Sequence, residues 1–332
     1  MNSYVSISDK YLTAQGLITA VVELAQSRGI ALHKLLRGTG IFEQDLLSVE
    51  HCFSLEQQVK LLSQFKRLMN TPDSGFLLGS QLVNDSSSAA QSVLYSAKLG
   101  AALLQIQRAR LQLCPLFFSQ HYVSNQQFYI FLNAATGLDD DLHNYILEIY
   151  SAAFYSFLKR LSPHYPQCEF DFSFKRPRHI HQYEQHLGLK LRFEQPTTRW
   201  VISKTLLRQA NPYASELRFM QARAQLAVKS HEKYTFIEAV WRYLHTYNEA
   251  SLEQTAQYFA MSPATFKRKL KCHNMRFSSL VDEQNKHKAI YLLTLRAKCN
   301  EHVAERLAFY DIPNFRRAFK RWTGLTPSQL KV

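Results

Sequence analysis

The sequence predicts an α+β N-terminal domain followed by an all-α domain built from two helix-turn-helix units joined by a linker helix. Three observations predict it. Thr265-Phe266-Lys267-Arg268-Lys269-Leu270 is echoed 49 residues later by Asn314-Phe315-Arg316-Arg317-Ala318-Phe319. Two aromatic, β-branched runs, Leu116 to Val123 and Gln127 to Leu132, flank Ser124-Asn125 as the arms of a hairpin. The chain before the hairpin and after about residue 228 carries apolar residues at helical spacing.

In chain order, Leu17, Val21, Leu24 and Ala25 mark a first amphipathic helix, and Val59, Leu62, Phe65 and Met69 a second. Ser54 and Gln57 have capping-box spacing at the start of the second. Gly38-Thr-Gly40, Thr71-Pro-Asp-Ser-Gly75 and Asn84-Asp-Ser-Ser-Ser88 punctuate these helices as turns or caps. After the hairpin come a helix from Asp141 to Leu161, an alternating strand Phe170-Asp-Phe172-Ser-Phe174, a helix from His181 to Leu187 and a strand from Arg199 to Ile202. Asp139-Asp-Asp141 reads as N-terminal capping of the long helix rather than a cation site. A helical stretch from Asn211 to Lys229 leads into His231-Glu-Lys233, and the boundary falls at 228/229, giving domains 1–228 and 229–332.

Each copy of the repeat follows a short helix and a turn. Ser251 caps a helix whose Leu252, Ala256 and Phe259 face inward, and Ser262-Pro263 opens the next helix as N-cap and first-turn proline. With Phe266 and Leu270 inward, Ala264, Thr265, Lys267, Arg268 and Lys271 point outward. The second unit has Val303, Ala304 and Leu307 inside, a turn from Phe309 to Ile312, and Asn314, Arg316, Arg317 and Lys320 outside. From the small alanine to the inward phenylalanine is 10 residues in the first unit and 11 in the second, so the second turn is one residue longer. Between the units, Phe277 to Leu295 suits one stiff helix of ~27 Å at about 1.5 Å per residue. Successive major-groove faces lie about 34 Å apart, so such a connector can present two recognition helices to one side of a duplex.

Charge agrees. The chain has a formal charge of +14, and from His231 onward 17 Lys and Arg stand against 9 Asp and Glu, so the last third is the basic part and an anionic partner is expected. Arg and Lys at the outward positions can read guanine or hold phosphate, and Asn314 can pair with adenine. Five scattered cysteines without a Cys-x-x-Cys pair suggest neither a disulfide framework nor a structural zinc site and fit a reducing cytoplasm. The longest nearly apolar stretch, Ile149 to Leu158, is about half of the ~20 residues that span a bilayer, so no membrane partner is expected. His179, His181 and His186 lack a carboxylate or cysteine at matching spacing, so neither a metal nor a cofactor is expected. No nucleophile motif or phosphate loop is present, which excludes a recognisable catalytic site and leaves an enzyme with a DNA-binding appendage as a remote alternative.

Ala256 to Leu270 and, more sharply, the second unit from Ala304 through Phe319-Lys-Arg-Trp-Thr-Gly-Leu-Thr-Pro327-Ser328 resemble the paired helix-turn-helix domain of AraC/XylS-type bacterial transcription regulators, over roughly 235–331. Departures are Ala308 in place of the usual glycine, Ile312-Pro313 in place of Pro-Ser, and Lys286 in place of a linker arginine. Leu35 to Ile41, Leu78-Gly79, Tyr183 to Phe193 and Trp200 to Ser203 resemble the sensor half of the ornithine- and virulence-regulator-like branch, called arabinose-binding by family name. That resemblance implies a dimerising, effector-sensing N-terminal domain, promoter DNA and RNA polymerase as partners, and activation as the commoner outcome. A ligand-free regulator controlled by abundance or a protein partner is the alternative. Phe117, Tyr122, Phe128, Tyr129 and Phe131 on the hairpin are candidates to line an effector pocket, although strand aromatics also serve simply as core.

Overall fold

The computed structural model describes residues 4–48, 50–124, 126–161, 168–229, 234–247 and 249–330. Asn125 of the hairpin turn, His231-Glu-Lys233 beside the expected domain boundary and Lys331 lie outside the described residues. A five-stranded sheet runs in the spatial order Phe117–Ser124, Gln127–Ala134, Arg199–Ser203, Cys168–Asp171, Leu191–Arg192. All neighbours are antiparallel except the last pair. The alternating Phe170 to Phe174 run enters the ladder only to Asp171; beyond it Phe172 N still donates to Arg192 O at 2.8 Å.

Side chains alternate across a strand, so each strand has two faces. Phe117, Phe128, Ile130, Phe170, Trp200 and Ile202 turn to one face, where the helix Asp140–Leu161 packs. That helix is buried around most of its girth, and Trp200 stacks on its Phe154 with centroids 4.6 Å apart. Asp139 Oδ1 accepts from Leu142 N at 2.9 Å and caps it. The helix Ser74–Gln81 crosses it at Gly79, where an added Cβ would overlap the Ile149 carbonyl oxygen; only glycine allows that approach. The helices Leu17–Ser27 and Leu55–Met69 complete this core with the predicted apolar faces. Ser54 and Gln57 form the predicted capping box, Gln57 N donating to Ser54 Oγ at 3.2 Å and Ser54 N to Gln57 Oε1 at 2.9 Å.

The opposite face of the sheet is also covered. Phe118 joins the core of the first helix-turn-helix unit, and Phe131, with Tyr122 and Tyr129, joins that of the second. Phe118 meets Trp241 edge-on at 5.6 Å, Phe131 meets His287 at 5.3 Å, and Tyr122 stacks on Tyr291 at 4.6 Å. Buried Asp171 is tied on this face by Arg192 and Arg199, each through Nε at 2.7 Å. Arg110 Nε contacts the buried carboxylate of Glu238 at 2.6 Å across the seam. At the sheet rim, Gly137 N and Thr136 Oγ1 both donate to His273 O, at 2.8 and 3.0 Å.

The strand Tyr4–Val5 lies with the elements that open the C-terminal half. Tyr4–Val5 pairs in parallel with Tyr234–Thr235, and the Tyr4 ring packs on Phe236 and Phe259 at 5.2 and 5.8 Å. No helix among the described residues is long and apolar enough to cross a membrane.

Candidate nucleic-acid interface

The first unit is assembled as its capping chemistry dictates. Ser251 and Gln254 form a capping box that starts Leu252–Tyr258, and Ser262 Oγ accepts from Thr265 N at 3.2 Å to start Pro263–Cys272. Ala256 is fully buried, so the second helix crosses close above it, and Phe266 and Leu270 seal the crossing. Ala264, Thr265, Lys267, Arg268 and Lys271 are all exposed. Lys269 instead turns inward, donating to the Tyr4 hydroxyl at 3.2 Å.

The second unit pairs Asn300–Arg306 with Ile312–Thr323, and Asp311 Oδ1 caps the latter by accepting from Asn314 N at 2.6 Å. The helix starts one residue before Pro313, which sits harmlessly in its first turn. Arg316, Arg317 and Lys320 are exposed, and Asn314 is half-buried. Asn314 Oδ1 accepts from Arg317 Nη2 at 2.6 Å, so these two residues form a preset pair.

Both turns use the same backbone device. Ala260 and Ala308 stand at φ 55° and 56°, while Met261 N donates to Ala256 O and Phe309 N to Ala304 O, both at 2.9 Å. The units diverge only afterwards: one residue separates Ala260 from the Ser262 cap, whereas Phe309 and Tyr310 separate Ala308 from the Asp311 cap. The longer turn leaves the Tyr310 side chain 97% exposed at the start of the second recognition helix. The extra residue is legible in the spacing, but the exposed aromatic ring is a tertiary fact.

The connector differs from one straight α-helix. It is α-helical over Phe277–Ile290 and ends in a π turn over Tyr291–Leu295, closed by Arg296 N donating to Tyr291 O at 3.1 Å. Thr294 Oγ1 donates back to Ile290 O at 2.7 Å, and Tyr291 is held by stacking on Tyr122 of the sheet; both loosen the α ladder at that point. Asp282 on the connector accepts from Trp322 Nε1 and Arg321 Nη2, both at 2.9 Å, fixing the second recognition helix to it.

The five hairpin aromatics are not brought together. Phe117 lines a cavity of about 170 Å³ between the sheet and the helices Ser88–Leu94, Leu99–Arg108 and Asp140–Leu161. Phe128 shares that face outside the cavity lining. Tyr122, Tyr129 and Phe131 face the other way, onto the second helix-turn-helix unit, because the period of two sends alternate residues of one strand to opposite sides. Among the described residues the cavity wall holds no Asp, Glu, Lys or Arg. Its polar end is His121, whose ring nitrogens lie 3.2 Å from Gln107 Nε2 and 3.0 Å from Ser119 Oγ, and burial pushes its pKa down to about 4. The three histidines of the 179–186 segment are not brought together on one site: His179 Nε2 lies 3.4 Å from Glu148 Oε1, His186 stacks on Phe76 at 5.1 Å, and His181 is exposed.

Residues 29–211 match the arabinose-binding N-terminal domain of AraC transcription regulators, and residues 255–331 match a helix-turn-helix domain. The chain belongs to the AraC family. It is 30% identical over 167 residues to the ornithine utilization regulator of Pseudomonas aeruginosa, an alignment covering 48% of this chain and 49% of that protein. It is 31% identical over 81 residues to the transcriptional regulator VqsM of the same organism, covering 24% and 25%. The chain thus spans about half, or less, of the length of these curated relatives. The crystal structure of CdpR from Pseudomonas aeruginosa aligns over 95% of this AraC-type chain and 97% of its own, with 16% identity and a TM-score of 0.43. Both curated relatives are named as regulators. The AraC-type chain accordingly joins an N-terminal domain of ligand-binding type to a helix-turn-helix DNA-binding domain.

Proposed function

We propose that this protein activates transcription in the cytoplasm, as a homodimer that occupies promoter DNA through both recognition helices and contacts RNA polymerase. Residues 1–228 act as the sensing and dimerising domain, and 229–332 as the DNA-binding domain. Lys267, Arg268 and Lys271 of the first helix, with Ala264 and Thr265, enter the groove directly. Asn314, Arg316, Arg317 and Lys320 of the second form a denser basic surface that leans toward phosphate.

One observation carries the regulatory part: the two faces of a single hairpin serve different masters. Ile130 borders the cavity, while Phe131, next in sequence, packs in the core of the second helix-turn-helix unit. A molecule in the cavity packs against these strands, and the strands are the dock for both helix-turn-helix units. Occupancy therefore biases docked against released arrangements. The apolar wall favours an apolar effector over a polyol or a charged amino acid.

Mobility-shift titration of a bound promoter fragment tests the interface. Arg268→Ala and Arg317→Ala should each weaken specific binding by about 1–3 kcal/mol where they read bases, or reduce the salt slope by about one where they hold phosphate. Unchanged affinity and salt slope in both variants would overturn the assignment.

A further inference from the structure

A second cavity, of about 250 Å³, lies in the seam itself, where the sheet rim and the long helix meet Trp241 and the connector helix. It is separate in chemistry from the first, although Phe117 and Leu132 border both. Asn133 stands on its wall with 4% exposure, and neither its Oδ1 nor its Nδ2 finds a partner among the described residues. Trp241, 2% exposed on the same wall, has an indole N–H in the same condition. Buried polar atoms are almost always hydrogen-bonded, so three unpartnered ones on the residues bordering one space favour a polar occupant there. The charges on the wall cancel: Lys286 Nζ lies 2.7 Å from Glu283 Oε2.

We infer that this seam cavity binds a small, net-neutral polar molecule with a planar amide-type edge, a carboxamide or lactam, that bridges the two domains. Asn133 offers an adjacent donor and acceptor, which pair with the carbonyl and N–H of such an edge, and Trp241 Nε1 adds a donor to the ligand's oxygen. A net charge on the ligand would be stranded in a space whose own charges are already matched. Because the wall is drawn from both domains, the bound molecule stabilises the docked arrangement by touching both sides of it. The inference does not require an effector in the apolar cavity, although Phe117 and Leu132 border both spaces.

The test uses the full chain with 2-pyrrolidone, propionamide and nicotinamide as probes, and propionate as the charged control, each at about 10 mM to detect millimolar affinity. The expected result is a raised melting temperature and a change in intrinsic emission with at least one neutral probe and not with propionate. Asn133→Leu, which removes the orphan atoms at similar volume, should fold at least as stably and lose the melting shift; Trp241→Phe should lose the emission change. No response of the wild type to any probe, an equal response in Asn133→Leu, or a probe-soaked crystal whose seam cavity holds only ordered water would each overturn the inference.

Discussion

Replacing Gly137 by alanine should prise the two halves apart. Gly137 is not among the residues at positive φ, so alanine fits its backbone, and the effect comes from space alone. A Cβ there would overlap the Asn274 carbonyl oxygen and stand 2.9 Å from its carbonyl carbon, which is backbone and cannot swing aside. The rim must open, and three hydrogen bonds are strained together: Gly137 N and Thr136 Oγ1 donating to His273 O, and Asn274 Nδ2 donating to Gly137 O at 3.3 Å. At about 1 kcal/mol net each, the docked arrangement loses about 2–3 kcal/mol, a shift of roughly thirty- to a hundredfold. Neither domain's own core contains Gly137, so both should stay folded. Hydrogen exchange should speed up over 277–290 and 128–134 while the helix 140–161 keeps its protection. Equal exchange in the two seam segments, with an unchanged melting curve, would refute the close-approach argument.

Ala308→Gly should stabilise the protein by about 0.5–1 kcal/mol, since a left-handed alanine is strained by about 1–2 kcal/mol and glycine's extra unfolded entropy returns only part of that; urea midpoints measure it. Burial, with Lys269 nearby, pushes the pKa of His273 down to about 4, and the unfolded chain protonates this histidine near 6.5, so its share of stability is complete above about pH 6.5 and lost as pH falls towards 4. At pH 5 the loss should be about 2 kcal/mol, and His273→Gln should flatten that part of the denaturation profile. Base-substitution scanning should find the half-site under Pro263–Cys272 more discriminating than that under Ile312–Thr323, because the longer turn and the Arg317–Asn314 pair commit the second helix to a basic surface.

Much of this was legible along the chain. Caps and inward residues of both helix-turn-helix units are local chemistry, and Ser251, Ser262, Phe266 and Phe315 do what their spacing requires. The hairpin is legible as strands, yet its aromatics look like one group along the chain. Which neighbour each face meets is a tertiary fact, and period two alone cannot distinguish a pocket wall from a dock. A usable hint was present: Phe117 and Phe118, like Ile130 and Phe131, are consecutive apolar residues, the mark of a strand buried on both sides. The π turn was hidden for the same reason, since the Tyr122–Tyr291 stack that accompanies it joins residues far apart in sequence.

The strand Tyr4–Val5 changes how the molecule can be divided. A fragment cut at 229 would keep every helix of the DNA-binding half and yet lose the tyrosine ring that roofs Phe236 and Phe259, the neighbour of Lys269 on the first recognition helix, and the only pairing strand of Tyr234–Thr235 among the described residues. Such a fragment would present a freshly bared aromatic patch and an open strand edge to its own copies. Supplying residues 4–12 as a separate peptide should restore its solubility more effectively than lengthening the fragment from 229 towards 211.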